Sequence, residues 1–106
     1  MTQQPSELYL RIKERHGDLI EAVEALSKTA RTSGPLDEKT GHLIQLGAAA
    51  AIHSIGSVRS HATRALAAGA TLDEIRHAIT VLTSTIGFPT VAAALAWIED
   101  ATEKNA

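Results

Sequence analysis

Residues 65–82 read ALAAGATLDEIRHAITVL and contain the end of one helix, a turn and the start of the next. Gly69 stands where the residue after a helix needs a positive φ, which glycine adopts without steric cost. Thr71 and Glu74 have the spacing of a capping box, in which each side chain binds the other residue's backbone amide. The apolar residues that follow recur at helical spacing, at Ile75, Ala78, Ile79 and Leu82. This stretch therefore predicts two helices joined by a tight turn.

The chain after this stretch predicts one more helix. Thr80 to Ile86 is rich in β-branched residues, which favour strands, but its continuity with the stripe that begins at Ile75 favours a helix. Gly87-Phe88-Pro89 breaks that helix, and Pro89 suits the first turn of another. The final helix carries apolar residues at Val91, Leu95 and Ile98.

Three helices are predicted in the first half of the chain. Pro5-Ser6 opens the first, and Asp18 is expected to cap the second. Ser33-Gly34-Pro35 forms a turn, because glycine permits positive φ and proline stops a helix. Asp37 is the expected N-cap of the third helix, which runs to about Ile52.

The junction at residues 53–56 either continues the third helix or breaks it, since Ser and Gly together favour a kink or a new helix start. A fourth helix follows to about Ala68. No segment has a sustained period-two pattern. The sequence therefore predicts an all-α fold of about six helices, in a single domain over residues 1–106.

Composition limits the classes of function. The 106 residues carry a formal net charge of −2 and no basic cluster, so no nucleic-acid partner is expected. The longest apolar run, Ala48 to Ile52, is too short to span a bilayer, and Met1 to Ser6 has no apolar signal core. We therefore expect a cytoplasmic protein with no membrane partner. The chain has no cysteine, which excludes disulfides and thiol chemistry.

Histidines are the unusual polar feature of the chain. His53, Ser57 and His61 are spaced four apart and share one stripe if the fourth helix begins a turn early. A histidine beside a hydroxyl can act as a general base, or both can hold a substrate carboxylate. The alternative is a polar, partly exposed helix face. His42, His53 and His61 could form a three-histidine zinc site, but they lack metal-binding spacing, so no metal and no cofactor is predicted.

A family resemblance rests on segments spread over most of the chain. They are Leu36-Asp37-Glu38-Lys39-Thr40, Leu43-Ile44, Ser54, Ser57, His61, Ala65-Leu66, Gly69-Ala70-Thr71 and Glu74-Ile75. In these segments, and over about residues 17–100, the chain resembles the carboxymuconolactone decarboxylase/AhpD-like family. The resemblance implies an all-α, AhpD-like helical bundle that assembles into trimers or hexamers, with sites near the subunit contacts.

The peroxidase-like branch of that family would have a C-x-x-C pair at the positions of Ser54 and Ser57, assisted by a histidine at position 61. An upstream glutamate, at the position of His42, would complete its proton relay. This chain retains His61 and replaces the other three residues. Serine cannot form a disulfide or reduce a peroxide, so peroxidase activity is the least favoured interpretation.

The decarboxylase branch also lacks the cysteines and retains the histidine. The resemblance implies loss of CO₂ from a small carboxylated, lactone-like substrate without a cofactor, with His61 as the acid or base. His42 would then stand in for the family's carboxylate, and Ser54 and Ser57 would bind substrate. His53 and Arg64 are further candidates for substrate binding, whereas Arg59 is expected to point elsewhere on the helix.

Two functional interpretations remain open at this stage. The first is a decarboxylase-like lyase, and the second is a catalytically inactive relative that acts as a binding or assembly module. Both are compatible with a homo-oligomer, because Thr83 to Ala96 contains no charged residue. A helix that is apolar all round is covered somewhere, and so short a chain has little interior of its own. The last two helices are therefore expected to form the subunit interface.

Overall fold

The computed structural model describes residues 6–103, and every regular element within that range is a helix. The helices are α1 (Glu7–Arg15), α2 (Gly17–Thr32), α3 (Glu38–Ala51), α4 (Ile55–Ala67), α5 (Leu72–Thr80), α6 (Thr83–Ile86) and α7 (Phe88–Glu103). Six of them are nine residues or longer, and α6 is a four-residue helix. The all-α prediction of about six helices is confirmed. None of the helices over residues 6–103 is long and apolar enough to cross a membrane.

The chain divides into two compact units, one ending at Leu36 and the other beginning at Asp37. The first unit consists of α1 and α2, which pack on each other. Ser6 caps α1 by accepting a hydrogen bond from the amide of Tyr9 at 3.0 Å, and the Tyr9 hydroxyl donates to Glu24 on α2. The single domain over residues 1–106 stays a prediction.

The prediction that Asp18 caps α2 is wrong. The N-cap of α2 is His16, whose side chain makes no capping hydrogen bond, and the helix begins at Gly17. Because α1 ends at Arg15, only His16 separates the two helices, so α2 starts two residues earlier than the capping pattern predicts. Asp18 therefore lies in the first turn, where its negative charge interacts favourably with the positive end of the helix dipole.

The core of the second unit is formed by small and branched aliphatic side chains from α3, α4, α5 and α7. Its fully buried members include Leu46, Ala50, Val58, Ala62, Ala65, Ile75, Ile79, Ala94 and Ile98. Alanine at so many of these positions lets the helix axes approach closely. At Gly47 the packing leaves little room for a side chain, because an added Cβ would lie 3.3 Å from Cδ1 of Leu82.

Two predicted helix starts in this unit are confirmed in detail. The amide of Thr40 donates to Asp37 Oδ1 at 2.7 Å, and Thr71 and Glu74 form the reciprocal capping box. Hydrogen bonds from the side chain and backbone of Thr40 hold the pKa of Asp37 below its ordinary value. Hydrogen bonds from the amide of Thr71 and from Lys39 do the same to the pKa of Glu74. Both carboxylates therefore stabilise the fold above their ordinary pKa values, and this contribution is lost as the pH falls through the lower folded values.

The junction after α3 is a break, and the hydrogen bonds show why. The amide of Ser54 donates to the carbonyl of Ala49 at 2.9 Å, and the amide of His53 donates to Ala50 at 3.1 Å. This is the pattern of a Schellman motif, in which one residue adopts a left-handed conformation. That residue is His53, with φ 58°. The end of α4 has the same two bonds, from Ala70 to Ala65 and from Gly69 to Leu66, with Gly69 at φ 102°.

Replacing His53 with glycine is expected to raise the free energy of unfolding by about 0.5–1 kcal/mol. The left-handed conformation costs a residue with a Cβ roughly 1–2 kcal/mol, and the greater freedom of glycine in the unfolded chain offsets part of the gain. Urea unfolding of the two proteins measures the difference. Gly69→Ala is the opposite change in the same motif and should destabilise the protein. An H53G variant that is less stable than the parent would contradict the strain assigned to His53.

Candidate functional site

His42 on α3 and His61 on α4 contact each other directly. Their Nδ1 atoms are 3.2 Å apart, with ring centroids separated by 5.4 Å and ring planes tilted by 38°. His42 is only 2% exposed, and His61 is half-buried. A hydrogen bond between two imidazole nitrogens needs one N–H donor and one acceptor. The contact therefore holds one proton between two groups that can each accept or release it.

The helical repeat explains why both rings point into the same interface. On α3, His42 lies one turn before Leu46 and two turns before Ala49, which are both buried. On α4, His61 lies between Val58 and Ala65, which are fully buried. The contact between α3 and α4 is the most extensive helix pairing within residues 6–103. The two histidines thus lie on the buried sides of their helices, and each offers the other a hydrogen-bonding group that an apolar neighbour could not offer.

The second ring nitrogen of His42 faces a carboxylate. Oε1 of Glu38, one turn earlier on α3, is 3.9 Å from Nε2 of His42. The Glu38 side chain is 70% exposed, whereas that of His42 is 3% exposed. Glu38 was missed by the sequence reasoning. Its i,i+4 spacing from His42 on a predicted helix is the signal that could have identified it.

Ser54 and Ser57 lie at the start of α4. Ser54 is the N-cap, but its side chain makes no capping hydrogen bond, so the hydroxyl is not used in starting the helix. Ser57 lies in the first turn, four residues before His61 and therefore on the same side of the helix. Both serines are half-buried.

His53 does not join this stripe. Because α4 begins at Ile55, the condition that would have aligned His53 with Ser57 and His61 is not met. His53 is an exposed residue in the turn between α3 and α4, with the left-handed backbone described above. Its predicted role in substrate binding has no support from this position. Within residues 6–103, no three side chains of the His, Cys, Asp and Glu types form a group that could hold a metal ion, so the three-histidine arrangement does not form.

The two arginines of α4 differ in their surroundings. Arg59 forms an ion pair with Asp100 on α7 at 2.7 Å, which agrees with the expectation that it points away from the histidines. Arg64 is half-buried in the last turn of α4, three residues after His61. Residues at this spacing are neighbours on a helix surface, so Arg64 is the arginine of α4 that is placed nearer to the pair.

Comparisons with known proteins agree with this architecture. A model of the carboxymuconolactone decarboxylase family matches residues 17–100. A solved structure of a carboxymuconolactone decarboxylase family protein from Legionella pneumophila, in its apo form, superposes with a TM-score of 0.77 at 24% sequence identity. The match covers 92% of this chain and 86% of the Legionella chain, and at that identity it shows a shared fold. No curated protein sequence matches the chain.

Proposed function

This chain belongs to the carboxymuconolactone decarboxylase family, and on that premise we propose that it is a cofactor-free lyase that removes CO₂ from a small carboxylated, lactone-like molecule. The observation that carries the proposal is the 3.2 Å contact between His42 and His61. It joins the buried imidazole of His42 to the half-buried imidazole of His61, so that His61 can receive a proton from His42. A cytoplasmic location is part of the same proposal.

In the proposed reaction, His61 is the general acid. The bond between the substrate carbon and its carboxylate breaks, CO₂ leaves, and the electron pair stays on the carbon, where the unsaturated lactone delocalises it. His61 then donates a proton to that carbon and forms the new C–H bond. The proton that His61 loses is replaced through Nδ1 from His42. An imidazole suits this role because it gains and loses protons near neutral pH.

Ser54, Ser57 and Arg64 are proposed to hold the substrate. The two hydroxyls can donate hydrogen bonds to a lactone or carboxylate oxygen, and Arg64 supplies the positive charge that a carboxylated substrate needs. Their support is position, because Ser57 and Arg64 lie on α4, the helix that carries His61, and Ser54 is its N-cap. Thiol-dependent peroxidase activity is not expected, because serine occupies both positions of the C-x-x-C pair and there is no cysteine.

The proposal is tested by incubating the full chain with a panel of unsaturated lactones that carry a carboxylate, and measuring CO₂ release. The same lactones without the carboxylate are the matched controls and should give no CO₂. If members of the panel bind but none is turned over, the lyase proposal is wrong. The chain would then be an inactive relative that serves as a binding or assembly module.

We also propose that the chain forms a homo-oligomer, a trimer or a hexamer, through the segment from Thr83 to Ala96. This segment carries no charge, and only part of it is covered by the chain's own core. Val91 and Ala94 face inward and are buried, whereas Phe88, the first residue of α7, is 64% exposed. Complete burial of a large aromatic side chain stabilises a protein by about 1.5–3 kcal/mol. A second copy of the chain that packs on Phe88 would provide this burial.

Phe88→Asp is therefore expected to dissociate the oligomer. The substitution puts a charge into an apolar interface, where it has no partner. Light scattering after gel filtration should give a multiple of 11.2 kDa for the parent and a mass near 11.2 kDa for the variant. Leu26→Asp is the control, because Leu26 is similarly exposed but lies on α2. A monomeric parent at micromolar concentration would contradict the proposal.

A further inference from the structure

Proton supply is a problem for the buried member of the histidine pair, His42. Each turnover of the proposed reaction consumes one proton, and His42 has almost no surface through which to take another from water. We infer that Glu38 is the solvent end of a proton relay that runs from Glu38 through His42 to His61. This inference rests on the proposed function for its purpose, but the relay can be measured without a substrate.

Both ring nitrogens of His42 have a proton-transfer group nearby. Nδ1 lies 3.2 Å from His61, and Nε2 lies 3.9 Å from the carboxylate of Glu38. The second distance is longer than a hydrogen bond. Because Glu38 is highly exposed and lies on the same helix one turn away, a change of its side-chain torsions or one bridging water closes the gap. The buried ring therefore connects an exposed acid with the half-buried ring of the site.

The charged residues next to Glu38 at the start of α3 form hydrogen bonds with other partners. Asp37 accepts the capping hydrogen bond from Thr40, and Lys39 donates to Glu74 on α5 at 3.3 Å. Among these three charged side chains, Glu38 is the one whose carboxylate reaches the histidine pair. In the family resemblance the relay carboxylate falls at position 42. In this chain the carboxylate lies one helical turn earlier, at Glu38, and the ring of His42 connects it to His61.

The proton count along the relay balances at every step. Glu38 takes a proton from water and passes it to Nε2 of His42, which becomes an imidazolium for that step. His42 then releases the proton on Nδ1 to Nδ1 of His61, and His61 gives up the proton on its Nε2 to the substrate carbon. Each ring gains one proton at one nitrogen and loses one at the other. A tautomer exchange of both rings, or a rotation, returns the relay to its starting state.

The test measures how fast the ring N–H protons exchange with water, by NMR of the full chain labelled with ¹⁵N-histidine. Glu38→Gln keeps the length of the side chain but cannot carry the proton, and should slow exchange at the His42–His61 pair by about 10²-fold, the lower end of the range for loss of a positioned proton-transfer group. Glu38→Asp keeps the negative charge at the helix start but shortens the reach, and should also slow exchange. Added formate should accelerate exchange in Glu38→Ala more than in the parent, because a small carboxylate can occupy the vacated position.

Glu103→Gln is the matched control, because it removes one exposed carboxylate at the far end of α7. Its exchange rate should equal that of the parent. Unchanged exchange in both the Gln and the Asp variants at position 38 would overturn the relay, as would equal slowing in Glu103→Gln. These outcomes are independent of CO₂ release, so the relay can fail while the lyase stands. If the lyase fails and exchange is still slowed at position 38, the relay is present without the proposed reaction.

Discussion

Replacing His61 with alanine is expected to lower the rate of CO₂ release by about 10²- to 10⁴-fold, the range that a positioned general acid contributes. The effect should fall on kcat rather than on KM, because the proton is transferred during the reaction of the bound substrate and not on binding. The fold should survive, since His61 is only half-buried and α4 keeps its buried face of Val58, Ala62 and Ala65. Loss of the partner of His42 is expected to cost about 1–3 kcal/mol of stability.

Two further variants separate chemistry from packing in this experiment. His61→Gln places an amide that can still donate a hydrogen bond to His42 but cannot give up a proton, so it should be as inactive as His61→Ala and more stable. His77→Ala removes an exposed histidine of α5 and should keep full activity. Full activity in His61→Ala would show that His61 is not the general acid, and the proposed lyase would lose its main support.

Leu46→Ala is expected to lower the free energy of unfolding by about 3 kcal/mol, within the range of 2.7–5 kcal/mol measured for buried leucines elsewhere. Leu46 is 0% exposed and packs in the cluster that includes Ile75 and Ile79. The loss combines the transfer of the missing carbons with a cavity that a core already built from small residues cannot easily close. For a domain with a stability of about 5–15 kcal/mol this is a large fraction of the total.

Ile44→Ala is the control for this substitution. Ile44 lies two residues earlier on the same helix and is 55% exposed, so its truncation should cost about 0.5 kcal/mol or less. Urea unfolding with an unchanged m-value gives both differences directly. Equal costs for the two variants would mean that the assignment of Leu46 to the core is wrong. Because Leu46 follows His42 by one turn, its loss should also weaken the contact between the two histidines.

Several helix ends could be predicted from the sequence because their determinants are local. Asp37 and the pair Thr71 and Glu74 act on amides three residues away, so the same side chains that form the motif also start the helix. Gly69 follows the same logic at the end of α4. The failure at Asp18 is informative, because the start of α2 depends on where α1 ends. A capping residue cannot start a helix at its own position when the chain has already turned at His16.

At the junction of residues 53–56, the local sequence does not decide between a continuous helix and a break. Ser54 and Gly56 allow either a continuous helix or a break, and His53 adopts a left-handed conformation that is uncommon for any residue with a Cβ. The break follows from two backbone hydrogen bonds to Ala49 and Ala50, which close the end of α3. These bonds form together with the packing of α4 back on α3. The consequence for the site is that His53 is excluded from the stripe of Ser57 and His61.

Helix content and helix ends follow from residues close together in the chain, the absence of thiol chemistry follows from composition, and the family resemblance follows from segments spread along the chain. None of these needs knowledge of how the helices pack. The meeting of His42 and His61 is different, because the two are 19 residues apart and lie on separate helices. Helical periodicity puts each ring on the apolar side of its own helix, but it does not specify which residues of α3 face which residues of α4. That choice is made by close packing in the tertiary structure, because protein interiors are filled at near-crystalline density and a shifted alignment would leave voids or overlaps. The side chains that pack there are Leu46, Ala49, Ala50, Val58, Ala62 and Ala65.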